Sequence, residues 1–173
     1  GWTNYEAYHR AYKNPINNTG LYIPEVYTAD SVDQHDYREA LMDDTKRSTS
    51  FFLTGDSTEV DNGNFKIPVS IIFQLNSQEL YDRLITRADE EARNDAMVAV
   101  QNSLMSDKVT SMVTSIPVVY SEFETDNIVF TDMSPMHVFR INLEVVVDYS
   151  CDYYCVYKDA LGGFDYKIGQ GLN

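Results

Sequence analysis

The sequence is short of cysteine, short of positive charge and without any long apolar run, and each shortage removes a class of function. There are two cysteines in 173 residues, Cys151 and Cys155. On one straight strand they share a face about 13 Å apart, beyond disulfide reach, unless a tight turn draws them together. No second cysteine pair and no neighbouring histidine completes a zinc site, so two reduced thiols are expected. No stretch approaches the roughly 20 apolar residues of a membrane span, and no charged-then-apolar leader pattern opens the chain. No membrane partner is therefore expected, and the protein is expected to be made in a cytoplasm. Lys and Arg number 13 against 27 Asp and Glu, a net charge of −14. A surface of that sign neither clamps nucleic acid nor docks on anionic lipid, but it can line a passage through which nucleic acid slides.

Apolar residues make up 43% of the chain and charged ones 23%, enough to bury a core in one domain without metal or disulfide staples. The expected organisation is a single domain over residues 1–173. Residues 1–50 form a helical and extended N-terminal segment, and residues 51–173 a sheet-plus-helix core. Tyrosine is abundant, with 13 copies. Its ring is apolar and its tip polar, which suits half-buried packing first and interfaces second.

Periodicity sketches the elements. Thr3-x-x-Glu6 is a capping box, and Tyr5, Tyr8, His9 and Tyr12 recur at helical spacing up to Pro15, predicting a short helix. Residues 21–27, broken by Pro24, read as an edge or extended segment. Ser31-x-x-Gln34 caps a second expected helix with Val32, Tyr37, Ala40 and Leu41 as its stripe. Phe51, Phe52 and Leu53 form a short apolar run ended by Gly55-Asp56. Asp61-Asn62-Gly63-Asn64 is the strongest turn signal, and residues 65–75 alternate behind it as one arm of a hairpin.

Asn76-x-x-Glu79 caps the longest expected helix, in which Leu80, Tyr81, Leu84, Ile85, Ala88, Ala92, Ala96, Val100 and Leu104 keep a helical period. Residues 109–119 read as a strand up to Pro117, and 128–130 as another. Residues 136–149 alternate over a long strand, and 153–157 with 164–168 suggest a closing hairpin. The fold class is α+β: a mainly antiparallel sheet packed against one long helix, with one or two short N-terminal helices.

The side chains that might carry chemistry form no familiar set. Asp30, Asp33, His35 and Asp36 are the densest group of potential metal ligands. They lack a Gly-turned calcium loop, and the dipole of an N-terminal helix turn accounts for acids there. Glu144 and Asp148 share a strand face, as do Glu122 and Glu124. In a chain with 27 acids such pairs arise by chance, and solvated charge is the better reading. His9, His35 and His137 are isolated. No nucleophile elbow, phosphate loop or dinucleotide fingerprint is present, so no enzyme, cofactor or metal is expected.

The strand Ile67-Pro68-Val69-Ser70-Ile71-Ile72-Phe73, followed by a helix bearing Leu80-Tyr81 and Arg87-Ala88-Asp89-Glu90-Glu91-Ala92, resembles the head-to-tail connection proteins of tailed bacteriophages. In that tail-terminator and neck group small α/β subunits form a ring. The resemblance implies a non-enzymatic virion subunit whose partners are copies of itself and other neck or tail proteins, with DNA passing through unbound. Tyr81, Arg87, Glu90, Glu91, Asp56 and Asn62 are then the candidate interface residues. Two rivals make other predictions. A small-molecule or carbohydrate-binding domain would use a platform of Tyr149, Tyr153, Tyr154 and Tyr157. A carboxylate-dependent hydrolase would use Glu144 and Asp148.

Overall fold

The fold is taken from a computed structural model and is described for residues 2–31, 34–41, 48–61, 64–81, 88–103, 108–125 and 135–148. In chain order these residues form β1 (Tyr5–Arg10), β2 (Tyr12–Pro15), β3 (Tyr22–Ser31), β4 (Gln34–Glu39), β5 (Ser48–Thr54), β6 (Thr58–Asp61) and β7 (Asn64–Asn76). Then come α1 (Ser77–Leu80), α2 (Ala88–Gln101), β8 (Lys108–Val113), α3 (Ile116–Val119) and β9 (Met136–Asp148). The class is α+β. A six-stranded, mostly antiparallel sheet runs β1-β5-β7-β9-β8, with β6 paired to β7, and β2-β3-β4 form a separate antiparallel sheet. The β1–β5 pair is parallel.

Alternation along β7 and β9 builds the centre. Phe73 faces Phe139, Ile71 faces Ile141 and Val69 faces Leu143, so one side of the large sheet is a continuous apolar ladder. Helix α2 lies on that side with Ala92, Ala96 and Val100, closing a core that also holds Leu75 and Leu80. The opposite side carries Ile72 and Val138 beside Gln74. There Phe51 and Leu53 of β5 meet Val26 and Ala40 of the small sheet, and Val119 and Tyr120 at the end of α3. The large sheet is thus sandwiched, helix on one face and small sheet on the other.

Gln74, fully buried, ties these layers together. Its Nε2 donates to the Ala40 carbonyl at 2.7 Å and to Thr49 Oγ1 at 3.2 Å, and its Oε1 accepts from the Tyr120 hydroxyl at 2.8 Å. The need for it begins with Pro24. The Ala40 amide donates to the Pro24 carbonyl, but proline has no N–H to return to the Ala40 carbonyl. The Gln74 amide takes that place. Burial pushes the Tyr120 hydroxyl well above its usual pKa, so it stays a donor. Beside this cluster Arg140 donates to Ser70 at 2.8 Å, Asn142 at 2.9 Å and Glu122 at 3.0 Å, and Glu122 also pairs with Lys13.

Several sequence expectations hold: β7, β9, the α2 helix, the Asn76 cap on the Gln78 amide, and the β6–β7 hairpin with Asp61 opposite Asn64. Others do not. The expected N-terminal helix is the strand β1, whose tyrosines three residues apart fall on opposite faces, Tyr5 against the helix-side core and Tyr8 against the small-sheet core. The second expected helix is the β3–β4 hairpin, in which Ser31 pairs with Gln34 instead of capping a helix. The segment with Pro24 is extended, as expected, but it is the central strand of the small sheet rather than an edge, with Gln74 replacing the missing donor. The strand expected over 109–119 ends at Val113, and Pro117 sits in the first turn of α3.

The one long helix expected from residue 77 is interrupted. At Tyr81 the backbone is extended, φ −122° and ψ 139°, and the described helix α2 spans Ala88–Gln101. Thr3 explains the stop. Its amide donates to the Leu80 carbonyl at 2.8 Å, and its hydroxyl lies 3.0 and 3.1 Å from the Glu79 and Leu80 carbonyls. These carbonyls would otherwise accept the next helical turn, so Thr3 caps the C-terminus of α1 rather than the N-terminus of a helix of its own.

Gly55 ends β5 against Pro68 and donates its amide to the Pro68 carbonyl at 2.9 Å. A Cβ on Gly55 would lie 2.7 Å from the Pro68 Cγ, an atom of a closed ring that cannot swing aside. Gly55→Ala is expected to cost about 1.5 kcal/mol, read as a fall in Tm of roughly 4 °C by calorimetry. An unchanged Tm would show that the β5–β6 corner yields.

Candidate functional site: an apolar cleft and a tyrosine face

A helix is about 10 Å across and strands lie about 4.8 Å apart, so one helix covers roughly two strands. Helix α2 covers β7 and β9 and leaves the helix-side faces of β5 and β1 bare. The result is a cleft of about 990 Å³. Phe52 and Ser50 of β5, Tyr5 and Ala7 of β1, Ile71 and Phe73 of β7, and Ala96, Ala99 and Val100 of α2 line it. Val98 stands on its rim and is 55% exposed.

One end of the cleft is closed by Trp2. Its ring meets Tyr5 edge-on at 4.8 Å and Phe73 at 6.1 Å. Its indole N–H lies 3.1 Å from Asp95 Oδ2 and 3.2 Å from the Tyr81 hydroxyl, which itself donates to Asp95 at 3.0 Å. Desolvation, with the Asp95 carboxylate accepting its proton and Glu91 nearby, pushes the Tyr81 hydroxyl up to about 12, the Trp2 N–H opposing in part. Tyr5, raised by burial, hydrogen-bonds Ser50 deeper in the cleft. This is an apolar trough with a few fixed polar groups at its mouth, a form suited to holding an apolar group.

The second surface is the outer face of the small sheet. Pro24, Val26 and Ala40 point inward and are buried, so alternation turns Tyr12, Tyr27 and Tyr37 outward. These rings are 49%, 42% and 49% exposed. Tyr37 is the centre of the strip, 5.4 Å from each of the other two, with edge-to-face geometry.

Of the sequence-designated interface residues, Tyr81 and Glu91 line the cleft. Glu90 lies in the first turn of α2, where Asp89, Glu90 and Glu91 complement the helix N-terminus, and the exposed Asp56 lies in the β5–β6 loop, away from the cleft. Arg87 and Asn62 lie outside the described residues. So do Asp33, Tyr149, Tyr153, Tyr154, Tyr157, Cys151 and Cys155, together with the side chains of Asp30, His35 and Asp148. Asp36 accepts from the Tyr37 amide at 3.0 Å. Glu122 is held by Arg140, and Glu144 pairs with Lys66 at 2.9 Å, so both stand as structural ion pairs. His137 contacts Arg93 and packs on Phe139, and His9 is exposed on β1. Among the described residues no three His, Cys, Asp or Glu side chains converge as metal ligands, and no helix is long and apolar enough to cross a membrane. Trp2, Tyr5, Phe52, Asp95 and Val98 were not designated as site residues from the sequence. They come together across the N-terminal strand, which local periodicity misassigns.

Comparison with protein-family models, with curated proteins and with solved structures finds no match to this chain.

Proposed function

We propose that the chain is a non-enzymatic structural subunit that oligomerises into a ring at the head–tail junction of a tailed phage virion, as tail terminator or neck component. The observation that carries the assembly role is the open cleft beside α2, apolar surface that an isolated subunit leaves in water and a neighbour would cover. The placement at a head–tail junction rests on the resemblance over residues 66–95. A net charge of −14 fits a conduit past which DNA moves without binding.

Light scattering over a concentration series, with imaging of the same sample, tests the reading. Closed rings of one stoichiometry are expected. Val98→Asp places a charge on the cleft rim at an exposed helix position, and it is expected to return the chain to monomer with unchanged circular dichroism. A monomer, a dimer or an open-ended aggregate in the unmodified protein overturns the ring. Rings untouched by Val98→Asp overturn the cleft as the contact.

A further inference from the structure

We propose that the outer face of the small sheet is a docking site for an arginine-bearing segment of a partner protein. This goes beyond the ring and does not depend on it. Tyr12, Glu25 and Glu39 lie in one row across β2, β3 and β4, and Tyr27 and Tyr37 pair in the row two residues along. Same-row residues share a face, so the tyrosine strip has two carboxylates set beside it. Asn14 on that face holds the Glu25 carboxylate through its Nδ2 at 3.2 Å.

Aromatic faces next to carboxylates are what a guanidinium binds. The plane stacks on the ring and the N–H fork takes the carboxylate oxygens. Among the described residues a guanidinium already lies over one of these rings, the Arg10 guanidinium carbon being 5.4 Å from the centre of the Tyr12 ring. Tyr37 and Tyr27 extend the same strip away from it.

Charge selects the occupant. A second copy would bring its own Glu25 and Glu39 against this pair on a chain of net charge −14, and like charges in apposition oppose that contact. Nucleic acid and anionic lipid carry the wrong sign as well. A basic partner gains from both the local carboxylates and the long-range field. Arginine gains more than lysine, because the planar group also stacks on the rings.

The probe is a short alternating Arg–Gly peptide titrated into the full chain near physiological salt and read by fluorescence anisotropy. The combined variant Tyr12→Ser/Tyr27→Ser/Tyr37→Ser keeps every charge and removes the rings. It is expected to bind about tenfold more weakly, the sum of a few exposed cation–ring contacts. Glu25→Gln/Glu39→Gln is expected to weaken binding by a similar factor and keeps the test open if the tyrosine variant unfolds. Glu59→Gln/Glu79→Gln removes two exposed carboxylates elsewhere and is expected to change affinity less than twofold, as remote charge screened by salt should. The matching Lys–Gly peptide is expected to bind more weakly than Arg–Gly. No binding by the Arg–Gly peptide overturns the proposal. So does an affinity indifferent to the tyrosines, an equal loss from the remote carboxylates, or equal affinity for the lysine peptide.

Discussion

Gln74→Leu is expected to lower the unfolding free energy by about 3 kcal/mol, although leucine is of similar size and suits a buried site. The loss comes from the partners left behind. The Ala40 carbonyl has no donor from Pro24, and the buried Tyr120 hydroxyl uses Gln74 Oε1 as acceptor at 2.8 Å. Each group stripped of its partner in the interior costs about 1–3 kcal/mol, and the gain from an apolar side chain offsets only part of the sum. Urea denaturation should show a lower midpoint at unchanged slope. Adding Tyr120→Phe to Gln74→Leu removes one orphaned group, so the double variant should be less destabilised than the two single effects added. A coupling of about 1 kcal/mol or more is expected, and strict additivity would mean that the two side chains do not depend on each other.

Phe139→Ala is expected to cost about 4 kcal/mol. Phe139 is fully buried, and its ring stacks on Phe73 with centroids 4.7 Å apart and planes 13° apart. The stacked pair fills the space under α2, where Ala92 and Ala96 present small side chains. Those alanines let the helix backbone approach the rings, and they also leave no side chain able to reach into a hole. The cavity therefore stays open, and its cost adds to the lost burial. Phe139→Leu keeps most of the volume and should cost no more than about 1.5 kcal/mol. If chemical denaturation gave equal losses for the two variants, the stacked geometry rather than the filled volume would be the source of stability.

Residues that alternate over many positions were legible in the sequence. Residues 65–75 and 136–148 each carry their pattern far enough to overrule any helical reading, and the Asp61–Asn64 turn fixes the register of the first of them. The N-terminal third was not legible, for two separate reasons. Strand β1 partly buries a tyrosine on each of its two faces, Tyr5 and Tyr8, and that three-residue spacing imitates a helix over so short a window. The Thr3 signal is a real hydrogen-bonding capacity with another outlet. Thr3 spends its amide and hydroxyl on α1, more than 70 residues away, and Ser31 sits where β3 turns into β4. The cleft was half legible for the same reason. Tyr81 and Glu91 stand out on their own helical segment, whereas Trp2, Tyr5 and Phe52 reach it through a parallel strand pairing that no local pattern announces. Of the outward tyrosines of the small sheet, Tyr27 was recoverable from the alternation of residues 22–28 once Pro24 was allowed inside a sheet. That allowance depends on Gln74, which lies 50 positions further on.

The clasp between Thr3 and the end of α1 also sets an order of events for the chain as it folds. Strand β1 has neither a turn nor a hairpin to bring it to β5; it must wait for β5, β7 and α1 to present an edge and two carbonyls before it has anything to bind. Docking of the N-terminus is therefore expected to follow formation of the β5 edge and the α1 end that it binds, a dependence on its partners rather than on loop length. Trp2, the single tryptophan of the protein, rides on that strand and hydrogen-bonds Asp95 only when it is home. Its fluorescence is therefore expected to report the docking of the N-terminus onto α1 and α2.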